Sequence, residues 1–93
     1  MVAGVIHRTT ATVRNPKGLH MRPLSMIVQK AQTFGGEVFV SRGSTRADAK
    51  SLLHLMTLGA EAGMQLEVEA SGFDGNSVVN QLAEVIETEF EFA

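Results

Sequence analysis

The spacing of apolar residues along the chain switches between a period near two and one near three and a half, and each switch marks an element. Residues 9–13, Thr-Thr-Ala-Thr-Val, are rich in β-branched side chains and predict a strand. Asn15-Pro16-Lys17-Gly18 carries turn chemistry. From residue 21 to 34 the apolar side chains fall at 21, 24, 27, 28, 31 and 34, which is one stripe of a helix. Pro23 suits its first turn, where a missing N–H costs nothing, and Gly35-Gly36 stops it. Residues 37–42 predict a second strand, with Val38 and Val40 on one face. Arg42-Gly43-Ser44 turns the chain into a short third strand at 45–47, and residues 49–58 predict a short helix ended by Gly59. Residues 65–70 alternate, with Leu66, Val68 and Ala70 inward and Glu67 and Glu69 outward, as in a half-buried strand. Gly72 to Gly75 is a turn. Asp74 or Asn76 is placed to cap a last helix reaching about Phe90, with Val79, Leu82, Ala83 and Ile86 on its core stripe.

The order β-α-β-β-α-β-α predicts a two-layer α/β sandwich: a four-stranded, largely antiparallel sheet covered on one face by three helices, its other face wet. At 93 residues this is a single domain, 1–93, with no repeat and no linker. Residues 1–8 precede the first strand and are expected to be a flexible extension. The chain has no Cys, which excludes disulfides, thiolate metal sites and a Cys nucleophile, so stability must come from the packed core. The charge-free run at 51–60 is too short to span a bilayer, and the first eight residues lack the apolar run of a signal peptide. These features predict a cytoplasmic monomer without membrane contact.

Charge sharpens the picture. The net charge is −2, yet all eight Lys and Arg lie in residues 1–50, which carry +6, while residues 51–93 carry −8 and no base. Such asymmetry points to a positive patch facing an acidic partner or a phosphate, unless folding mixes the signs. A nucleic-acid partner is not expected, because the chain has no Tyr or Trp for stacking and no run of Lys or Arg.

Gly18-Leu19-His20-Met21-Arg22-Pro23 is the stretch richest in chemistry. A turn ends in glycine, and His20 falls at the start of the predicted helix, where free N–H groups and the helix dipole favour an anion. Arg22 lies in the same first turn and offers a forked donor to phosphate, while Lys17 adds charge nearby. An imidazole nitrogen is a competent nucleophile near neutral pH. The set suits a histidine that accepts a phosphoryl group and passes it on, a reaction that needs mainly positioning and charge stabilisation. The same residues also fit a polar histidine at a helix start with no chemistry.

Gly-Leu-His-x-Arg-Pro resembles the active-site signature of HPr, the histidine phosphocarrier family of the bacterial sugar phosphotransferase system. A second block, Ala49-Lys50-Ser51-Leu52-Leu53-His54-Leu55-Met56-Thr57-Leu58-Gly59, resembles that family's regulatory-serine segment, at the family's separation and without a gap. The likeness runs from about Thr9 to Phe90, and the family's element order is the one read above. The resemblance implies that His20 is the phosphoryl acceptor at Nδ1, Arg22 its phosphate partner, and Ser51 the site of HPr kinase/phosphorylase. It implies enzyme I as donor, with phosphoenolpyruvate behind it, and enzyme IIA domains as acceptors. It implies no metal or organic cofactor, and a co-substrate rather than a stand-alone enzyme. Met21 and Leu24 stand where the family usually has smaller residues, which bears on partner choice, and the N-terminus is several residues longer.

Ser51 also has a local reading, since serine in the first turn of a short helix is often simply a cap. The helix at 49–58 is apolar almost all round. Leu55 and Leu58 fit the buried side, which leaves Leu52, Leu53 and Met56 partly exposed as a docking patch beside Lys17, Met21 and Leu24, or else as further core. His54 is expected to face solvent, and neither it nor His7 has a neighbour at ligand spacing. Two other functions stay open: a mainly regulatory member of the same family, and an interaction module with a surface histidine.

Overall fold

Alternation in the strands and stripes on the helices give each element one apolar face, and the fold joins those faces. The computed structural model describes residues 5–89. In chain order the elements are β1 (Ile6–Thr12), α1 (Met21–Gln32), β2 (Val38–Arg42), β3 (Thr45–Asp48), α2 (Leu52–Met56), β4 (Gln65–Ser71) and α3 (Gly75–Glu87). The strands form one sheet in the order β1-β4-β2-β3, with every neighbouring pair antiparallel. Because β1 and β2 both oppose β4, they run parallel to each other with β4 between them. Such a pair cannot be joined by a hairpin, and α1 supplies the crossover. The two-layer sandwich expected from the sequence is the observed fold.

Leu66, Val68 and Ala70 of β4 are buried, as their alternation requires, and pack with Val38 and Val40 of β2 beneath Ile27 of α1, Leu55 of α2 and Leu82 and Ile86 of α3. The stripe on α3 is wider than expected: Val78 and Val85 are buried with Val79, Leu82 and Ile86, while Ala83 is half-buried.

Several boundaries differ from expectation. β1 starts at Ile6, not Thr9. Ile6, His7 and Arg8 pair with Ser71, Ala70 and Glu69, so this part of the expected extension belongs to the sheet, while residues 1–4 lie outside the described residues. α1 ends at Gln32, and Phe34 packs against the core from beyond the helix. α2 is five residues long and starts at Leu52, not at 49. Ser51 is extended, with φ −118° and ψ 114°, and the segment before it is held elsewhere: Ala49 donates to the Val38 carbonyl at 2.9 Å, and Lys50 and Ser51 donate to Asp48 at 2.9 and 3.0 Å. Asp74 takes the N-cap position of α3 but makes no side-chain capping bond, and its φ is 71°. The helix ends at Glu87, and Phe90 lies outside the described residues.

The outer sheet face is less uniformly wet than the alternation suggests. Glu67 is exposed, but Glu69 is flanked by Arg8 at 3.7 Å and Arg46 at 3.8 Å. The Arg46 guanidinium lies 3.6 Å from the Phe39 ring centroid. Folding therefore brings basic residues of the first half onto an acid of the second. Among the described residues no helix is long and apolar enough to cross a membrane.

Ile27 is fully buried on the face of α1 that meets the sheet. Ile27→Ala is expected to lower the unfolding free energy by about 2–5 kcal/mol, as for other large-to-small core changes. Urea denaturation measures this, and a loss below about 1 kcal/mol would mean that α1 is not seated as described.

Candidate functional site

The site is built where the chain enters α1. Val13 donates its N–H to the Met64 carbonyl at 2.9 Å, and Gly63 returns a bond to the Val13 carbonyl at 2.8 Å. Gly18 then closes the turn onto the Asn15 carbonyl at 2.8 Å, and Leu19 donates to the Ala60 carbonyl at 3.0 Å. The loop before α1 is thus tied to the loop before β4 at both ends. Gly18 sits at φ 73°, and a Cβ there would lie 2.5 Å from the Ala60 carbonyl oxygen, so both its conformation and its surroundings require glycine.

His20 is the N-cap residue of α1, with extended backbone and no side-chain capping bond. The first helical bond is Leu24 N–H to the His20 carbonyl at 3.1 Å, so the N–H groups of Met21 and Arg22 precede any intrahelical acceptor. The half-buried imidazole instead meets Asn15, whose Nδ2 lies 2.7 Å from Nε2. Asn15 is 2% exposed and the one buried polar side chain among the described residues. In the sequence Asn15 reads only as a turn former; turn chemistry conceals a side chain aimed inward.

His20 and Met21 open onto a cavity of about 360 Å³ whose other walls are Leu24 and, across from α1, Leu55, Met56, Gly59, Ala60 and Glu61. Arg22 and Lys17 are both exposed, and neither lines this cavity. Glu61 was not anticipated: it brings an acid of the second half to the rim, through the Leu19–Ala60 bond that no local pattern announces.

The expected docking residues divide. Met21, Met56 and Leu53 are 52%, 50% and 78% exposed. Leu24 is core, at 4% exposure, because the α1 stripe points it at the sheet; it reaches the cavity only as part of its wall. Leu52 is half-buried and packs against the core. Ser51 is the N-cap residue of α2, and its Oγ accepts the His54 N–H at 3.2 Å. His54 is exposed, as expected, and its Nδ1 accepts the Asp48 N–H at 2.9 Å. Among the described residues no cluster of His, Asp and Glu could hold a metal ion.

This geometry has known counterparts. The family model described as PTS HPr component phosphorylation site matches residues 7–88. The chain belongs to the HPr family. An HPr phosphocarrier of Treponema pallidum is 32% identical over 82 residues, spanning 88% of this chain and 93% of that one. The HPr-like protein Crh of Bacillus subtilis is 32% identical over 77 residues, spanning 83% and 91%. The crystal structure of HPr-C-His from Thermoanaerobacter tengcongensis superposes with a TM-score of 0.81 at 31% identity, over 87% of this chain and 91% of that one. Membership makes this chain a phosphocarrier component of the phosphotransferase system, and the HPr fold is the one described above.

Gly18→Ala tests how the HPr-type loop is held. Strain at a left-handed non-glycine residue costs about 1–3 kcal/mol, and contact with the Ala60 oxygen adds to it. Urea denaturation is expected to show a loss of at least about 1 kcal/mol. A neutral substitution would mean that the two loops are not locked together.

Proposed function

We propose that His20 accepts a phosphoryl group from phosphorylated enzyme I, charged by phosphoenolpyruvate, and delivers it to a histidine of an enzyme IIA domain. The observation that carries this reading is a half-buried imidazole at the N-cap of α1, unused for capping, at the edge of an open cavity. The Nδ1 lone pair forms the new P–N bond while the P–N bond of the donor phosphohistidine breaks, its nitrogen leaving with the bonding pair. The second transfer reverses these roles on the acceptor histidine. On this reading, negative charge on the moving group is favoured by the first-turn N–H groups and by the guanidinium of Arg22, two residues on. The exposed Met21 and Met56 flank the approach and give an apolar footing to a partner, with Leu53 farther along α2 and Lys17 adding positive charge. The protein is regenerated in each cycle and works as a co-substrate without a cofactor.

His20→Ala is expected to remove phosphoryl acceptance and leave the fold intact, since no core cavity is made. The measurement is acid-labile, base-stable phosphate on each protein after mixing with phosphoenolpyruvate and a bacterial enzyme I. Equal labelling of wild type and His20→Ala would overturn the assignment.

A mainly regulatory role is the second reading, favoured by the likeness to Crh and by Ser51 at the cap of α2. A phosphate on Ser51 adds roughly −1.5 to −2 charge on the helix whose far end, at Met56, borders the His20 cavity. Ser51→Asp leaves stability nearly unchanged, because Asp and Ser are comparable N-caps. It is expected to weaken enzyme I binding at low ionic strength, with the loss shrinking as salt rises, since the Debye length falls from about 30 Å at 0.01 M to about 10 Å at 0.1 M. Titration at two salt concentrations measures both effects, and equal low-salt affinities would remove the electrostatic role of Ser51.

A further inference from the structure

A neutral imidazole has one N–H and one lone pair, and the hydrogen bond made by one nitrogen decides which of the two the other presents. In this protein Nε2 is engaged. The Asn15 carboxamide lies 2.7 Å away and is itself 2% exposed, so solvent does not compete for it. The Asn15 side chain is not spent on its own turn, which the main chain closes through Gly18 N–H and the Asn15 carbonyl at 2.8 Å. The loop that carries Asn15 is held against the loop before β4 by the bonds of Val13, Gly63 and Leu19, so the carboxamide has a fixed base.

We propose that Asn15 is the positioning residue for transfer at His20: its buried carboxamide clamps Nε2 and leaves Nδ1 as the ring nitrogen that meets phosphorus. This rests on the reading of His20 as phosphoryl acceptor. A carboxamide offers a donor and an acceptor in nearly the same space, exchanged by a half-turn about its last bond. With Nδ2 toward the ring, Nε2 accepts and the neutral imidazole carries its proton on Nδ1. With Oδ1 toward the ring, Nε2–H donates and the Nδ1 lone pair is free to attack. Attack forms the Nδ1–P bond as the donor's bond to phosphorus breaks. The ring becomes a phosphoimidazolium whose Nε2–H donates to Oδ1. Loss of that proton returns the Nδ2 orientation. One buried side chain thus satisfies Nε2 in every protonation state of the cycle and never exposes it to phosphorus.

The test uses potassium phosphoramidate as donor, which needs no partner protein. Nδ1 takes the phosphoryl group as the P–N bond breaks and ammonia leaves. NMR of 15N-histidine-labelled protein then reads which ring nitrogen carries phosphorus. Wild type is expected to be modified at His20 on Nδ1. Asn15→Ala is expected to give a mixture of Nδ1 and Nε2 adducts and a rate lower by about ten- to a hundred-fold, the scale of a misplaced reacting group. Asn15→Asp, whose carboxylate accepts from Nε2–H, is expected to restore Nδ1 selectivity. Thermal melts identify variants that fail to fold, and for those Asn15→Ser, which keeps a small polar side chain, takes the place of Ala with the same expectation. Exclusive Nδ1 labelling of a folded Asn15→Ala or Asn15→Ser at the wild-type rate would overturn the role of Asn15. Absence of label on His20 in wild type would instead overturn the underlying assignment.

Discussion

The site depends on one close approach, that of the Gly18–Leu19 backbone to Ala60. A side chain at Gly18 would put a Cβ 2.5 Å from the Ala60 oxygen, and Leu19 donates its N–H to that same oxygen at 3.0 Å. This contact fixes where α1 begins. It sets His20 at the N-cap position, opens the cavity between α1 and α2, and brings Glu61 to the rim. It also links two segments that are distant in sequence, so the geometry around the histidine is secured by the whole fold and not by the motif alone. The sheet order contributes in the same way: β4 must lie between β1 and β2 before its preceding loop can reach the entry to α1.

What the sequence disclosed and what it concealed follow the same division. Alternation in 65–70 and the stripe of α1 depend on local period, and both were readable. The start of α2 was not, because Ser51 is extended and Ala49 bonds to Val38 of the sheet, contacts that periodicity cannot express. Leu24 was read as part of a docking surface from its nearness to His20, yet helical geometry turns it inward at 4% exposure. His20 and Arg22 stood out in the sequence as candidates because glycine, histidine and arginine occur together at a helix start. Asn15 was hidden for the opposite reason, since its residue type already had a sufficient explanation as a turn former.

The linear separation of charge does not survive folding intact. β1 and β2 both pair with β4, and Arg8 of β1 and Arg46 of β3, one strand beyond β2, reach Glu69 of β4. Such exposed pairs contribute about 0–1 kcal/mol each. Their larger consequence is that positive charge of the first half is partly met on the outer sheet face, at Glu69. The halves of the linear sequence are therefore not the units in which the folded chain arranges its charge.

The two helix starts show why similar positions take different roles. His20 and Ser51 are both N-cap residues, of α1 and α2. The serine hydroxyl is small enough to turn back and accept the His54 N–H, so the start of α2 is satisfied from within. An imidazole at the same position makes no such bond. It reaches sideways to Asn15 and leaves the first-turn donors of α1 without a side-chain acceptor from their own cap. A helix start left to water beside an imidazole gains nothing from a side-chain cap. It is useful only where an anion arrives, and this is the condition that a phosphoryl group in transit meets.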